Sequence, residues 1–249
     1  MTAPALASRR YSLGAGLAGA ALNYFKYWIL AAAVLSLAVP LIVAQYTDVQ
    51  LSAWYYAANG AKWFTAFVGG GFVYTLLPQL IATGLTRREL AASMGVFGLL
   101  WSLGLGAVAF AGLLAEHAYY GAFGWSQGID ANDGIAPIGS LADTASFAAY
   151  LPLLLLSYFA AGVVIGVASY RWEHTGWLLV VPILPVVFGL DAALFNTEPV
   201  GPGWIGFLGL YIDEWGRVPL AALIALAVAA LAVAARRLLI DIPLRSKRA

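Results

Sequence analysis

Charge is nearly absent from six long stretches of this chain. They run over residues 27–45, 63–82, 91–114, 147–169, 177–195 and 218–235, and Asp191 is the one Asp, Glu, Lys or Arg inside any of them. A helix crosses the hydrocarbon core of a bilayer with about 20 apolar residues. Each stretch is long enough, and the last is near the minimum. Composition agrees: 62% of residues are hydrophobic and 10% charged, against about 25% charged in soluble domains. Such a chain has too little polar surface to cover itself in water. The period-two alternation of a β-barrel strand is missing. These features predict an all-α polytopic membrane protein: six transmembrane helices in a single transmembrane domain spanning residues 1–249.

Arginine and lysine fix the expected orientation. Arg9, Arg10, Lys26, Arg87, Arg88, Arg171, Arg236, Arg237, Arg245, Lys247 and Arg248 fall on one side of the six spans, and only Lys62 and Arg217 on the other. The asymmetry places both termini in the cytoplasm and the chain in the cell membrane as a multi-pass protein. The net charge of +1 gives no reason to expect a nucleic-acid partner; membrane lipid is the expected surrounding. The chain has no cysteine, which excludes disulfides, thiolate catalysis and Cys-ligated metal.

The N-terminal "SRRYSL" has the look of a twin-arginine export signal, but no soluble cargo follows it. Residues 9–26 read instead as an amphipathic interfacial helix. Leu13, Leu17, Ala21 and Phe25 recur every four residues, with Arg9 and Arg10 before them and Lys26 after. Among the connections, 119–146 is rich in Gly, Asp and Ser and reads as a polar external loop. The stretch 196–217 opens on the turn-forming "NTEPVGPG". It continues into the apolar "WIGFLGLYI", too short to span, and predicts a re-entrant-like external hairpin before the last helix. Within segment four, Gly162 and Gly166 form a G-x-x-x-G, the spacing that lets helices approach closely. Pro182 and Pro185 predict a kink in segment five.

Recognisable catalytic chemistry is sparse. No lysine follows a glycine, so the chain has no P-loop, and there is no H-E-x-x-H. "GWSQG" around Ser126 fits G-x-S-x-G, a pattern with meaning only on the strand-to-helix turn of an α/β sheet. His117 and His174 are expected at opposite membrane faces. Glu116 and His117 are adjacent in a helix and point about 100° apart, so they do not readily converge on one substrate. Asp191 is the candidate for a substrate or gating contact, with a solvated acid near the helix end or a helix–helix hydrogen bond as the structural alternatives. No metal site and no cofactor bound by this chain are expected, nor enzymatic activity of its own.

The most informative short stretch is "GLTRRELAAS", Gly84–Ser93. Thr86 followed by Glu89 is a capping box, which starts a helix at Arg87. Gly84 suits the end of the helix before it. Arg87 and Arg88 then stand in the first turn, where the helix dipole disfavours cations; a reason outside the helix is needed, either anionic lipid or an acidic protein. With six helices, cytoplasmic termini and "G-x-T-R-R-E-L" between the second and third, the chain resembles the permease subunits of ABC-2 type exporters. The resemblance implies a half-transporter that forms the translocation pathway with a second copy or a paralogue. It implies a separate ABC ATPase subunit that binds ATP and Mg. It also implies that Thr86, Arg87, Arg88 and Glu89 couple to that ATPase. The readings set against it are a channel, secondary transporter or membrane scaffold, and, less favoured, an intramembrane enzyme.

Overall fold

The structure is a computed structural model and describes residues 3–131, 134–173, 175–195 and 217–242. In chain order it contains α1 (Ala3–Val43), α2 (Ala53–Ala82), α3 (Arg87–Phe123), the strands β1 (Gly128–Ala131) and β2 (Gly134–Pro137), α4 (Leu141–Ala149) and α5 (Leu151–Trp172). A 3-10 turn (Gly176–Leu179), α6 (Val180–Phe195) and α7 (Arg217–Ile240) follow. Six helical segments are long and apolar enough to cross a membrane. The expected external hairpin at 196–217 lies outside the described residues save for Arg217, as do His174, Arg245, Lys247 and Arg248.

The centre of the bundle is the pair α2 and α5, and glycine decides how close they come. A Cβ on Gly162 or Gly166 would run into the backbone carbonyls of Ala66 and Gly70 in α2. From the other side, a Cβ on Gly70 would stand 2.8 Å from the Gly162 carbonyl oxygen, and one on Gly69 2.7 Å from that of Phe159. Backbone therefore meets backbone, as small residues permit in helix pairs. Around this seam α3 contributes Phe97, Trp101 and Leu105, all buried. The Trp101 indole N–H reaches the Thr65 hydroxyl of α2 at 3.2 Å. Gly98 and Gly106 of α3 make room for Phe159 and Pro152 of α5. α7 closes the other side with Leu220, Ile224 and Leu239.

Several sequence expectations change. The helices exceed the apolar runs: α2 begins ten residues before Trp63, and α3 continues to Phe123. Residues 9–26 are not a separate interfacial helix; they are continuous with the first span in α1. The stripe of Leu13, Leu17, Ala21 and Phe25 packs on the bundle core, with Gly14 seated on Ser93 and Val96 of α3. Amphipathicity has the same period whether the apolar face meets lipid or another helix. The 119–146 connection is structured. It holds the end of α3, the two-stranded antiparallel β1–β2 hairpin and α4. The described ends of α1 and α7 both lie at the end of the bundle carrying the α2–α3 turn. Ser12 and Leu13 share a cavity with Leu80 and Leu85 there, and Arg87 reaches the Ile240 carbonyl.

Candidate functional site

Asp191 of α6 has a partner that composition and flank counting concealed. Lys62 Nζ donates to Asp191 Oδ1 at 2.7 Å and to Oδ2 at 2.8 Å. Tyr158 Oη of α5 donates to Oδ2 at 3.0 Å. All three side chains are buried: Lys62 is 4% exposed, Asp191 8% and Tyr158 1%. The carboxylate thus accepts three hydrogen bonds from two donor groups on two other helices. Aromatic rings surround it: Trp63 of α2 lies 4.5 Å from Phe188 of α6 and 5.9 Å from Tyr158, centroid to centroid. Lys62 is therefore not a flanking residue of an external loop. It lies on the buried stripe of α2, with Ala58, Thr65, Gly69 and Val73. Taking two ions out of water costs several kcal/mol each, and only close pairing with further hydrogen bonds offsets this. Removing one partner of such a pair destabilises by about 3–5 kcal/mol. Asp191 is thus not a solvated acid at a helix end; it makes the helix–helix contact, the other structural alternative, with an ion pair at its centre.

A second polar cluster joins the loops to the opposite end of α3. Glu116 is fully buried. It accepts from the Ser52 hydroxyl, from the Trp54 backbone N–H at 3.1 Å and from Gln127 Nε2 at 2.9 Å. Ser52 is the N-cap of α2, its oxygen accepting from Tyr55 N–H at 2.9 Å. A carboxylate from α3 thus sits at the positive end of α2, where orphan N–H groups and the helix dipole both favour an anion. Gln127 continues the network. Its Nε2 also donates to the Leu113 carbonyl at 3.2 Å. Its Oε1 accepts from Thr144 at 3.2 Å and lies 3.0 Å from His117 Nδ1. Glu116 and His117 do converge after all, on the two ends of one amide. The G-x-S-x-G around Ser126 contributes this glutamine. Its serine is exposed in a turn between Gly124, left-handed at the end of α3, and β1. Among the described residues no group of three His, Cys, Asp or Glu stands where a metal ion would be held.

The α2–α3 turn matches its expected local geometry. α2 ends with Gly84 at φ +84°, with its N–H on the Ile81 carbonyl and that of Leu85 on the Leu80 carbonyl. These are the paired bonds of a Schellman motif. Thr86 then caps α3. Glu89 N–H donates to Thr86 Oγ1 at 3.2 Å, and Thr86 N–H donates to Glu89 Oε2 at 2.9 Å. Both ends are hydrogen-bonded, so the link is defined rather than loose. The structure separates the two arginines. Arg87 donates to the Ile240 carbonyl of α7 at 3.0 Å, a cation on the carbonyl end of a helix where the dipole welcomes it. Arg88 is exposed.

An apolar groove of about 430 Å³ between α1, α2 and α3, lined by Phe25, Trp28, Trp54, Phe64 and Leu105 among others, contains none of these polar groups. Comparisons with protein-family models, with characterised proteins and with solved structures return no match to this chain.

Proposed function

We propose that the chain is the membrane-spanning permease subunit of an ABC exporter of the ABC-2 type. In this reading it lies in the cell membrane with both termini in the cytoplasm. It forms a pathway with a second permease copy or a paralogue, and takes its energy from a separate ATPase that binds ATP and Mg. The observation that carries the reading is the α2–α3 turn: a short link fixed by a Schellman motif and a capping box, with an exposed arginine at its tip. A rigid turn transmits displacement to the helices on either side, whereas a loose loop absorbs it. The basic residues add support. Arg87 and Arg88, Arg171 at the end of α5, and Arg237 at the end of α7 gather at one end of the bundle, as the positive-inside rule requires of a cytoplasmic face. The coupling roles divide. Arg88 and Thr86 meet the ATPase, Glu89 holds the cap, and Arg87 passes the movement to α7.

Co-expression with an ATPase encoded beside it tests this. The expected result is a copurifying complex, lost in Arg88→Glu, with the variant permease still folded. Failure of every such ATPase to bind, or full binding and coupled hydrolysis in Arg88→Glu, would refute the coupling assignment.

A further inference from the structure

α1 touches the bundle at both ends and in the middle, and this fixes its depth. Ser12 and Leu13 share a cavity with Leu80 and Leu85 beside the α2–α3 turn. The Phe25 ring lies 4.8 Å from that of Phe64 and 6.0 Å from that of Trp101. At the other end Tyr119 Oη donates to the Leu37 carbonyl at 3.4 Å. Lys26 is 13 residues past Leu13 and 11 before Leu37, about 20 Å and about 16 Å along the helix. The hydrocarbon core of a bilayer is about 30 Å thick. Lys26, counted by its flank among the cytoplasmic charges, thus stands near the middle of the first span.

Its side chain faces away from the bundle. Phe25 and Ile29 pack inward. Asn23, Lys26, Tyr27 and Leu30 are all exposed, and their spacing of three and four residues makes one helix face. Exposed residues of other helices at comparable depth are apolar: Phe67 of α2, Leu103 of α3 and Leu226 of α7. Lys26 Nζ donates to Asn23 Oδ1 at 3.0 Å and lies 5.1 Å from the centroid of the Tyr27 ring, both on its own helix. An ammonium carries three N–H groups, so donors remain. Asn23, with its oxygen on Lys26, keeps its NH₂ as a second donor beside them. Adjacent donors, one of them charged, suit a carboxylate or phosphate group.

Acyl chains supply no acceptor, and a charge at this depth normally faces a partner or a water-filled cavity. No described acid is placed to answer it. Asp191 is buried on Lys62 and Tyr158, and Glu116 on Ser52, Trp54 and Gln127. The other described acids stand at helix ends or in connections. A second copy brings the same residues, a lysine rather than an acid.

We propose that the Asn23–Lys26–Tyr27 face of α1 lines a water-filled passage and binds a carboxylate or phosphate group of the solute that moves through it. The passage rests on the permease reading, whose second copy or paralogue supplies the opposite wall. The new element is the solute's negative charge and the residues that hold it.

The test uses the absence of cysteine from the chain. Tyr27→Cys places one thiol on this face. Phe67→Cys and Leu103→Cys place one on exposed apolar faces at comparable depth. Each full-length variant is expressed in the native host. Its membranes are treated with a sulfonate or a trimethylammonium thiosulfonate reagent, and each rate is normalised to that reagent's rate with a free thiol in solution. A thiol reacts as its thiolate, which forms in water and not in lipid. Labelling is expected at Tyr27→Cys and not at the other two positions. The anionic reagent is expected to react about tenfold faster than the cationic one, the low end for a charge focused in a cleft. Lys26→Gln in the Tyr27→Cys chain is expected to abolish the preference, and Lys26→Arg to keep it. Leu30→Cys, one turn along the same face, serves if Tyr27→Cys does not fold. A face as inert as the two controls overturns the proposal, because lipid or another protein then covers it. So does labelling without an anionic preference, or a preference that survives Lys26→Gln. Copurification of an ATPase is read separately. An inert face on a chain that binds its ATPase refutes this site alone, and a labelled, anion-selective face on a chain that binds none refutes the ATPase coupling alone.

Discussion

Gly70 and Gly71 are neighbours in α2, yet the structure gives them opposite expectations. A Cβ on Gly70 would stand 2.8 Å from the Gly162 carbonyl oxygen and 3.4 Å from its carbon, while a Cβ on Gly71 would meet nothing within 4 Å. The obstacle at Gly70 is backbone, which cannot rotate aside as a side chain would. Gly70→Ala must push α2 and α5 apart by several tenths of an ångström along the seam that positions both. Overpacking of this kind costs about 1–3 kcal/mol. Alanine returns about 0.5–1 kcal/mol through lower backbone entropy in a helix. The net for Gly70→Ala is a loss of about 1–2 kcal/mol. Gly71→Ala keeps the gain without the clash. The gain is common to both, so the two variants should separate by the overpacking cost, about 1–3 kcal/mol, or about 2–12 °C in a chain of this size. Thermal unfolding of the detergent-purified protein, followed by tryptophan fluorescence, measures the difference directly. Gly162→Ala should lie below both, because its Cβ overlaps the Ala66 carbonyl outright. Equal shifts for Gly70→Ala and Gly71→Ala would show that α2 and α5 do not meet along this seam.

Glu116→Ala removes the shared acceptor of Ser52, Trp54 N–H and Gln127; buried donors left without partners cost about 1–3 kcal/mol each. A fall of at least about 3 kcal/mol in unfolding stability is expected, with Glu116→Gln intermediate because its amide NH₂ opposes one of those donors. Thr86→Ala deletes the N-cap of α3 at a cost of about 1 kcal/mol. It should also make the α2–α3 turn the first site cut in limited proteolysis, whereas Arg88→Ala should leave the cleavage pattern unchanged.

What sequence made legible, and what it hid, follows from the range of the interactions. The α2–α3 turn was readable because Gly84, Thr86 and Glu89 act within six residues, and their bonding is local. The glycines of α5 were readable as a packing face, though not which helix they face. Lys62 was hidden by a counting rule. Assigned to a loop because it flanks an apolar run, it belongs to a helix that starts at Ala53 behind the Ser52 cap. A signal was present: Ala58, Lys62, Thr65, Gly69 and Val73 share one helical face, which places the lysine on the same stripe as small, packable residues. The convergence of Glu116 and His117 on Gln127 was not readable, because it depends on where the 124–128 turn folds back.

Lys62 and Asp191 show why such a pair resists reading from either residue alone. They are 129 positions apart, on two different helices that are each long and apolar enough to cross a membrane. A lone lysine or aspartate at the centre of a spanning helix costs about 2.5–3.5 kcal/mol on insertion scales. Each segment bears that cost through its uncharged surroundings, nine helical residues before Lys62 and twenty after it in the case of α2, and neither has a charged partner on its own helix. Compensation arrives only when α6 docks against α2 and α5. The pair therefore works against the insertion of each helix and in favour of their assembly. Hydropathy, which scores segments singly, registers the first effect and not the second. The same asymmetry makes the pair informative about α6: an interaction that burdens its own helix is kept where it specifies position, and here it specifies one position on the α2–α5 seam.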